Sequence, residues 1–232
     1  MHIEPLGDHA LLVHLGSSID EETHRLVRAA YATLERLDLP GVSELVPAFT
    51  SIGVHYDPAR VRHAPTEPPH EGLRRELAAA LERLDPAELP PARTVEIPVC
   101  YGGDFGPDLA DVAGQAGLSA REVVRRHAAG EYLVYMIGFA PGFPYLGGLD
   151  PRLATPRLDA PRTAVPAGSV GIGGEQTGIY PVESPGGWRL IGRTPLRLFD
   201  PTREPATLLR AGDRVRFRAV TAARFRELER GA

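Results

Sequence analysis

The sequence predicts an α+β protein with two domains: a domain of mixed strands and helices, then a small β domain rich in turns. Its 232 residues exceed the usual domain size of about 100–150 residues, which favours two modest domains. With 43% hydrophobic and 24% charged residues, the composition is that of an ordinary globular protein. The 58 residues from Gly138 to Pro195 contain 12 glycines and 9 prolines, which excludes long helices there and favours short strands joined by tight turns.

The amino-terminal third begins with a strand and a helix. Residues 9–15 (HALLVHL) predict the strand. The helix follows from about Asp20 to Leu37, where apolar side chains recur at the 3.6-residue period. Ser18 and Glu21 are spaced as a capping box, in which each side chain satisfies a backbone N–H group of the first turn. We therefore expect this capping box to start the helix.

Two more strands and a second helix follow. Residues 42–49 and 51–56 predict the strands. After a proline-rich stretch, an amphipathic helix carries four leucines at helical spacing: Leu73, Leu77, Leu81 and Leu84.

A last strand over residues 94–99 completes the order βαββαβ if it belongs to this domain; the alternative is that it belongs to the next domain. That order is typical of a split βαβ, ferredoxin-like domain. The segment Leu89–Ala92 contains two prolines and predicts the linker. The first domain is therefore expected over residues 1–92 and the second over residues 93–232.

The second domain opens with two short helices, over about residues 107–116 and 119–129. A capping box of Ser119 and Glu122 starts the second of them. Strands are expected over residues 131–138, 178–182, 187–191, 196–199 and 213–220. A closing amphipathic helix is expected over about residues 221–229, and we expect the domain to be barrel-like.

The basic and thiol residues exclude several kinds of chemistry. All 26 basic residues are arginine, so the chain cannot form a Schiff base or supply a P-loop lysine. Its one cysteine, Cys100, excludes an internal disulfide and a thiolate metal cluster, and it fits a reducing compartment.

The charge distribution does not match a nucleic-acid-binding protein. Residues 1–94 hold 15 acidic residues and 9 arginines, and residues 95–232 hold 15 acidic residues and 17 arginines. The mild arginine excess of the second half suits small anions, because guanidinium pairs bidentately with carboxylate or phosphate. The chain starts without a signal-peptide pattern and has no apolar run near the ~20 residues that cross a bilayer. We expect a cytoplasmic protein without a membrane anchor.

The histidines are poorly placed for catalysis or metal binding. Seven of the eight lie in the first 70 residues, and His9 and His14 would face opposite sides of one strand, so no metal site is expected. Ala167–Gly171 resembles a nucleophile elbow with Ser169 as nucleophile and His127 as base. The glycines that follow disfavour the helix that an elbow requires, so we favour a turn and expect His127 to be structural or peripheral.

The glycine-rich and aromatic segments offer a better candidate for a binding site. Gly168–Gly178 concentrates backbone N–H groups, and Ser169 and Gln176 add side-chain donors. A hairpin turn would use the same glycines. Phe139–Gly148 places three aromatic residues on a backbone stiffened by prolines, either as an aromatic wall or as core.

Five segments of the second half resemble the B subunit of bacterial ATP-dependent 5-oxoprolinase. The same family is called allophanate hydrolase subunit 1 or KipI-like. The resemblance covers about residues 94–220 and rests on the segments YGGDFGPDL (101–109), YMIGFAPGFPYLGGLD (135–150), RTAVPAGSVG (162–171), QTGIYP (176–181) and SPGGWRLIGRTP (184–195).

This resemblance implies a ferredoxin-like amino-terminal domain and a cyclophilin-like β-barrel domain. It implies an obligate partner, the C subunit (the allophanate hydrolase subunit 2 family), and a third protein, the A subunit; the three together open 5-oxo-L-proline to L-glutamate. ATP is then a cosubstrate with Mg²⁺, and the chain itself holds no bound cofactor. Two alternatives stay open: a regulatory protein that binds a histidine kinase, and a carboxyltransferase or allophanate hydrolase-type subunit of urea metabolism, where biotin is involved.

We expect the site in the second domain, where the Gly/Pro-rich segments can return to one barrel mouth. Negative charge that develops on the lactam oxygen would need arginine, amide and hydroxyl donors. The expected catalytic residues are Arg162, Ser169 and Gln176. The expected substrate-binding residues are Tyr180, Arg193, Phe143 and Tyr145.

Overall fold

A computed structural model describes residues 1–82, 84, 89 and 91–231. The chain divides into two units, Met1–Pro91 and Ala92–Ala232. Of the expected linker Leu89–Ala92, Pro90 lies outside the described residues. No helix of the described residues is both long and apolar enough to cross a membrane.

The first unit contains four strands and two helices. In chain order they are β1 (His2–Pro5), β2 (Ala10–His14), α1 (Glu21–Leu37), β3 (Val42–Pro47), β4 (Ser51–Tyr56) and α2 (Pro69–Leu81). The strands form one antiparallel sheet in the order β1-β2-β4-β3. Because β2 and β3 both run antiparallel to β4, they are parallel to each other, and β2-α1-β3 is a split βαβ unit. The core between sheet and helices contains Leu11, Val54, Val27, Leu34 and Leu77.

Of the two alternatives for the strand at residues 94–99, the structure shows the second. Residues Thr94–Tyr101 form β5, which belongs to the second unit, and the fourth strand of the first sheet is the amino-terminal β1. Strand β1 is a mostly exposed edge strand, so it lacks the apolar alternation that identifies a strand in sequence.

Helix α1 starts differently from expectation. Its N-cap is Asp20, whose carboxylate accepts the backbone N–H of Thr23 at 2.7 Å. Ser18 instead donates its hydroxyl to the Asp20 carboxylate. Asp and Ser are both good N-cap residues, and the carboxylate adds a charge that favours the positive end of the helix. The expected Ser18–Glu21 capping box is therefore wrong.

The second unit is built around a barrel. Its helices are α3 (Leu109–Ala116), α4 (Ala120–Ala129) and α5 (Ala222–Arg230). After β5 its strands are β6 (Tyr132–Ile137), β7 (Pro144–Gly147), β8 (Arg162–Val165), β9 (Ser169–Gly173), β10 (Gln176–Ile179), β11 (Ser184–Gly186), β12 (Arg189–Arg193) and β13 (Arg214–Ala219).

Seven strands close into a barrel in the order β10-β7-β6-β13-β5-β12-β9, and β8 and β11 form a separate two-stranded sheet. The barrel-like domain is thereby confirmed. Strand β5 pairs with β13 in parallel, with Val95 opposite Val215, which explains why this strand belongs here. Ile97, Val134, Ile172 and Ile191 are fully buried in the barrel core.

One expected strand of this unit is absent, and four strands lie in segments that were not predicted as strands. Residues 196–199 form no strand; Phe199 makes an isolated bridge to Thr207, and Leu198 is buried by side-chain packing. The additional strands are β7, β8, β9 and β11, which contain glycine or proline or have only three or four residues. Such strands have too few apolar residues for a period of two to be visible.

Candidate functional site

His127 lies in the core of the barrel unit and is fully buried. Its Nδ1 atom is 2.8 Å from the Tyr101 hydroxyl, and its Nε2 atom is 3.0 Å from Thr177 Oγ1. The ring of Phe217 stacks on it at 4.5 Å. Burial lowers the pKa of His127 to about 3, so the imidazole is neutral at pH 7.

The hydrogen bonds around His127 form a chain with one direction. Thr177 donates its hydroxyl to the carbonyl oxygen of Gly171 at 2.9 Å, so Thr177 Oγ1 accepts from His127 Nε2–H. Nδ1 then accepts from the Tyr101 hydroxyl. Both ring nitrogens are used in this way, and neither is bonded to Ser169. The serine–histidine pair that a hydrolase elbow needs is not formed.

Arg162 is bound by a carboxylate that the sequence did not single out. Its Nη2 atom donates to Asp108 Oδ1 at 2.7 Å, and Asp108 Oδ2 accepts the backbone N–H of Leu190 at 2.7 Å. The Asp108 side chain is only 7% exposed. The charge of Arg162 is therefore compensated inside the protein, while its buried Nη1 atom has no hydrogen-bond partner among the described residues. A catalytic role of Arg162 stays a prediction. Asp108 directly precedes α3, where an acidic residue is ordinarily assigned to helix capping.

Three of the expected site residues come together at one end of the barrel. Ser169 at the start of β9 pairs with Arg193 at the end of β12. Tyr180 donates its backbone N–H to the Ser169 carbonyl at 2.9 Å. Gly168 lies beside them with φ +80°, and a Cβ atom there would be 2.3 Å from the Thr194 carbonyl oxygen. Only glycine fits this approach.

Gln176 lies at the other end of the same hairpin. It pairs with Gly173, four residues along β9 from Ser169, which at about 3.3 Å per residue is a separation of about 13 Å. The expectation that Gln176 shares a cleft with Ser169 and Tyr180 is therefore wrong. The spacing of the glycines in this segment does not predict which residues form the turn of the hairpin.

A cleft of about 480 Å³ opens beside Arg193. Arg193 donates its Nε–H to the Ala167 carbonyl at 2.8 Å and has no ion-pair partner among the described residues. Arg197 lines the same cleft, but its Nη1 atom pairs with Asp200 at 3.2 Å. Two carboxylates, Glu183 and Glu229, complete the polar lining. The cleft thus holds one arginine that is available for an anion.

The aromatic residues form a small second core rather than a wall facing solvent. Phe143 is 1% exposed and meets the rings of Tyr180 and Trp188 edge to face at 5.2 and 5.5 Å. The phenol oxygen of Tyr180 accepts the backbone N–H of Trp188, and burial raises the pKa of Tyr180. Half-buried Tyr145 packs on Phe143 at 5.0 Å. Phe143 and Tyr180 therefore offer almost no surface to a ligand in this structure, and their assignment to substrate binding stays a prediction.

Phe139 differs from the other aromatic residues of its segment. Its side chain is 63% exposed, and its φ angle is +68°. Ala140 donates its backbone N–H to the Gly138 carbonyl at 2.8 Å, which makes Phe139 the centre of a γ-turn. A bulky residue in this backbone region costs about 1–3 kcal/mol, and such strain is concentrated at functional sites.

The described residues offer no cluster of three or more His, Cys, Asp or Glu side chains that could hold a metal ion. Cys100 is a buried free thiol, and burial raises its pKa, so the reactive thiolate is disfavoured.

Known proteins match this chain over most of its length. The family model "Carboxyltransferase domain, subdomain C and D" matches residues 1–209. A protein of Bacillus subtilis (strain 168), named as the B subunit of 5-oxoprolinase, is 51% identical over 218 residues, which are 93% of this chain and 91% of that protein. The protein of the same name in Escherichia coli O157:H7 is 45% identical over 213 residues, covering 91% of this chain and 93% of that one.

Solved structures match the fold. The crystal structure of TTHA0988 superposes with a TM-score of 0.78 at 40% identity, and it covers 92% of this chain. This chain spans only 40% of TTHA0988. The urea amidolyase of K. lactis has the same fold, with a TM-score of 0.77 at 21% identity over 98% of this chain and 15% of that one.

The family match and the two relatives each cover about nine-tenths of the chain, and the barrel unit carries all five segments on which the resemblance rests. The chain belongs to the family of 5-oxoprolinase B subunits, within the carboxyltransferase subdomain C and D group.

Proposed function

We propose that this chain is the B subunit of a cytoplasmic, ATP-dependent 5-oxoprolinase, which acts with the C and A subunits to convert 5-oxo-L-proline to L-glutamate. The observation that carries the proposal is the similarity to two proteins named as 5-oxoprolinase B subunits, along more than nine-tenths of each chain. The single buried cysteine fits a reducing compartment.

The reaction requires a group in the site that binds the carboxylate of the substrate. A lactam carbonyl is a poor electrophile, and transfer of a phosphoryl group from ATP to its oxygen produces an activated species that water can open. The substrate also carries a carboxylate, which must be held while this happens. Binding of that carboxylate needs a cation that is not already compensated.

Arg193 is the proposed cation for this carboxylate. It lines the cleft, its Nε–H group is fixed by the Ala167 carbonyl, and no carboxylate of the described residues pairs with it. A guanidinium group can hold a carboxylate through two parallel hydrogen bonds. Ser169 and Tyr180 support this end of the barrel through the backbone, and Arg162 supports it through Asp108 and Leu190.

Among the described residues, this chain offers no complete catalytic set for the reaction. One uncompensated arginine suits one anionic group, but a triphosphate with its Mg²⁺ needs several cations and oxygen ligands. ATP is therefore assigned to a site that a partner protein forms or completes. Gln176, which lies apart from Ser169, stays a candidate for contact with such a partner.

Reconstitution tests the proposal. The chain is purified alone and together with the C and A subunits of the same organism, and glutamate release from 5-oxoproline is measured with and without ATP. We expect release only from the full set and only with ATP. Release that persists when this chain is omitted, or no release from the full set, would refute the proposed function.

A carboxyltransferase role is the second candidate, because the matching family model carries that description. The same preparations are incubated with a carboxylated biotin carrier and urea, and transfer of the carboxyl group is measured. Transfer to urea, with no glutamate release from 5-oxoproline, would favour this candidate.

A further inference from the structure

We infer that Phe139 is the anchor by which a partner protein binds beside the Arg193 cleft. The inference rests on the proposed function, since it assumes a heteromeric enzyme. It specifies the residue and the place at which the partner binds, and the names of the similar proteins specify neither.

Phe139 combines an unfavourable backbone conformation with an exposed side chain. Residue 139 sits in a γ-turn with positive φ, where glycine would fit without strain. A bulky aromatic residue in this place gains little from burial, since 63% of it is exposed to solvent. Within the chain the ring has edge-to-face contacts with Phe143 and Tyr180, with ring centroids 5.4 and 6.4 Å apart, and the rest of its surface is available for a contact outside this chain.

The loop is rigid, which suits an anchor. Phe143 donates its backbone N–H to Ala140 at 3.0 Å, and Gly138 donates to Phe143 at 3.1 Å. The Phe139 ring packs edge to face on the buried Phe143 at 5.4 Å. An anchor that is already ordered loses little conformational entropy when it binds.

The position of the loop points to a protein rather than a small ligand. Gly142 approaches Phe199 and Pro181, so the loop adjoins two residues of the cleft lining. Phe139 itself is not part of that lining. A protein that covers the cleft would reach it. A partner with an apolar pocket for one aromatic ring fits, because buried aromatic anchors dominate the binding energy of protein interfaces.

The names and lengths of the similar proteins support a partner of this kind. The two relatives are each named as one subunit of an enzyme, and the TTHA0988 chain is much longer than the part this chain matches.

Affinity measurements with three variants test this inference. The dissociation constant for the C subunit of the same organism is measured with the intact chain and with Phe139→Gly, Phe139→Tyr and Ile19→Ala. Phe139→Gly removes the ring and suits the positive φ angle, so the chain should stay folded while its affinity falls at least ten-fold. Phe139→Tyr keeps the ring and should bind within about three-fold of the intact chain. Ile19, a similarly exposed apolar residue of the first unit, is the control and should have no effect.

The possible outcomes separate this inference from the proposed function. If the intact chain does not bind the C subunit, the proposed function fails and the anchor fails with it. If the intact chain binds and Phe139→Gly binds equally well, only the anchor is refuted. Equal affinity together with a raised KM for 5-oxoproline would also refute it, and would assign Phe139 to the substrate instead.

Discussion

Asp108 links Arg162 to the barrel through both of its carboxylate oxygens. Oδ1 accepts a hydrogen bond from the Arg162 guanidinium group, and Oδ2 accepts one from the backbone N–H of Leu190. Asp108 and Arg162 are 54 positions apart in the chain, and the Asp108 side chain is nearly buried. A carboxylate in this position stabilises the chain segments that surround the candidate site, and it uses the charge that the sequence suggested for a substrate.

Replacing Asp108 with asparagine should destabilise the second unit by about 2–4 kcal/mol, because Arg162 then keeps a partly buried charge without compensation. Trp188, the only tryptophan, lies in this unit, so its fluorescence during urea unfolding reports the change. Arg224→Ala breaks an exposed ion pair with Glu227 and serves as control, with no measurable effect. An unchanged midpoint for Asp108→Asn would show that the pair contributes nothing to stability.

His127 should make the stability of the second unit depend on pH. Its pKa is about 3 in the folded chain and near 6.5 in the unfolded chain, so below pH 6.5 only the unfolded state takes up the proton. The free energy of unfolding should therefore fall by about 1.4 kcal/mol per pH unit between pH 6 and pH 4 on account of this residue.

The variant His127→Gln removes that contribution. It should be less stable than the intact chain at pH 7, and the difference should shrink as the pH falls. His63→Gln, the same substitution at an exposed histidine of the first unit, is the matched control. Equal slopes for His127→Gln and the intact chain would mean that His127 is not buried as a neutral group.

Arg193 should determine substrate affinity in the assembled enzyme. With saturating partner subunits, Arg193→Ala should raise KM for 5-oxoproline at least ten-fold, and Arg193→Lys should raise it less, because one of two fixed hydrogen bonds is kept. Arg197 lines the same cleft but is paired with Asp200, so Arg197→Ala is the matched control and should change KM less than three-fold. Equal effects of the two alanine variants would contradict a specific role for Arg193.

Ser169 should not behave as a nucleophile. Both nitrogen atoms of His127 are bonded elsewhere, so this histidine is not in place to activate the serine hydroxyl. Ser169→Ala should lower kcat by less than about 100-fold, the range expected for one lost hydrogen bond, whereas removal of a serine nucleophile costs about 10⁶-fold. A loss of the larger size, measured in the assembled complex, would restore the hydrolase interpretation.

Local patterns were reliable where an element is long and has two distinct faces. Helix α1 was expected from Asp20 to Leu37 and is found from Glu21 to Leu37, because the apolar period marks the buried face. Strand β1 and the short strands β7, β8 and β11 were not expected. They are too short or too exposed to have a repeating apolar pattern, and their position is set by the strands beside them.

The sequence placed the candidate site in the second domain, and the structure separates residues that were expected to share one cleft. The sequence showed arginines and hydrogen-bond donors among glycine-rich turns. It did not show that Gln176 and Ser169 lie at opposite ends of a hairpin, since that depends on where the turn falls. It also gave no sign of Asp108 as the partner of Arg162, because an acidic residue before a helix has an ordinary local explanation.

By itself the sequence determined the helices, the turn-rich β domain, the absence of lysine chemistry and the segments that identify the family. These depend on residue type and on spacing over a few turns of chain. Only the tertiary structure decided that β5 pairs with β13, that His127 bonds Tyr101 and Thr177, and that Arg162, but not Arg193, pairs with a carboxylate of the described residues. Each of these relations depends on residues that are tens of positions apart in the chain. Partners at such separations are selected by the closure and packing of the barrel, and no local propensity encodes them.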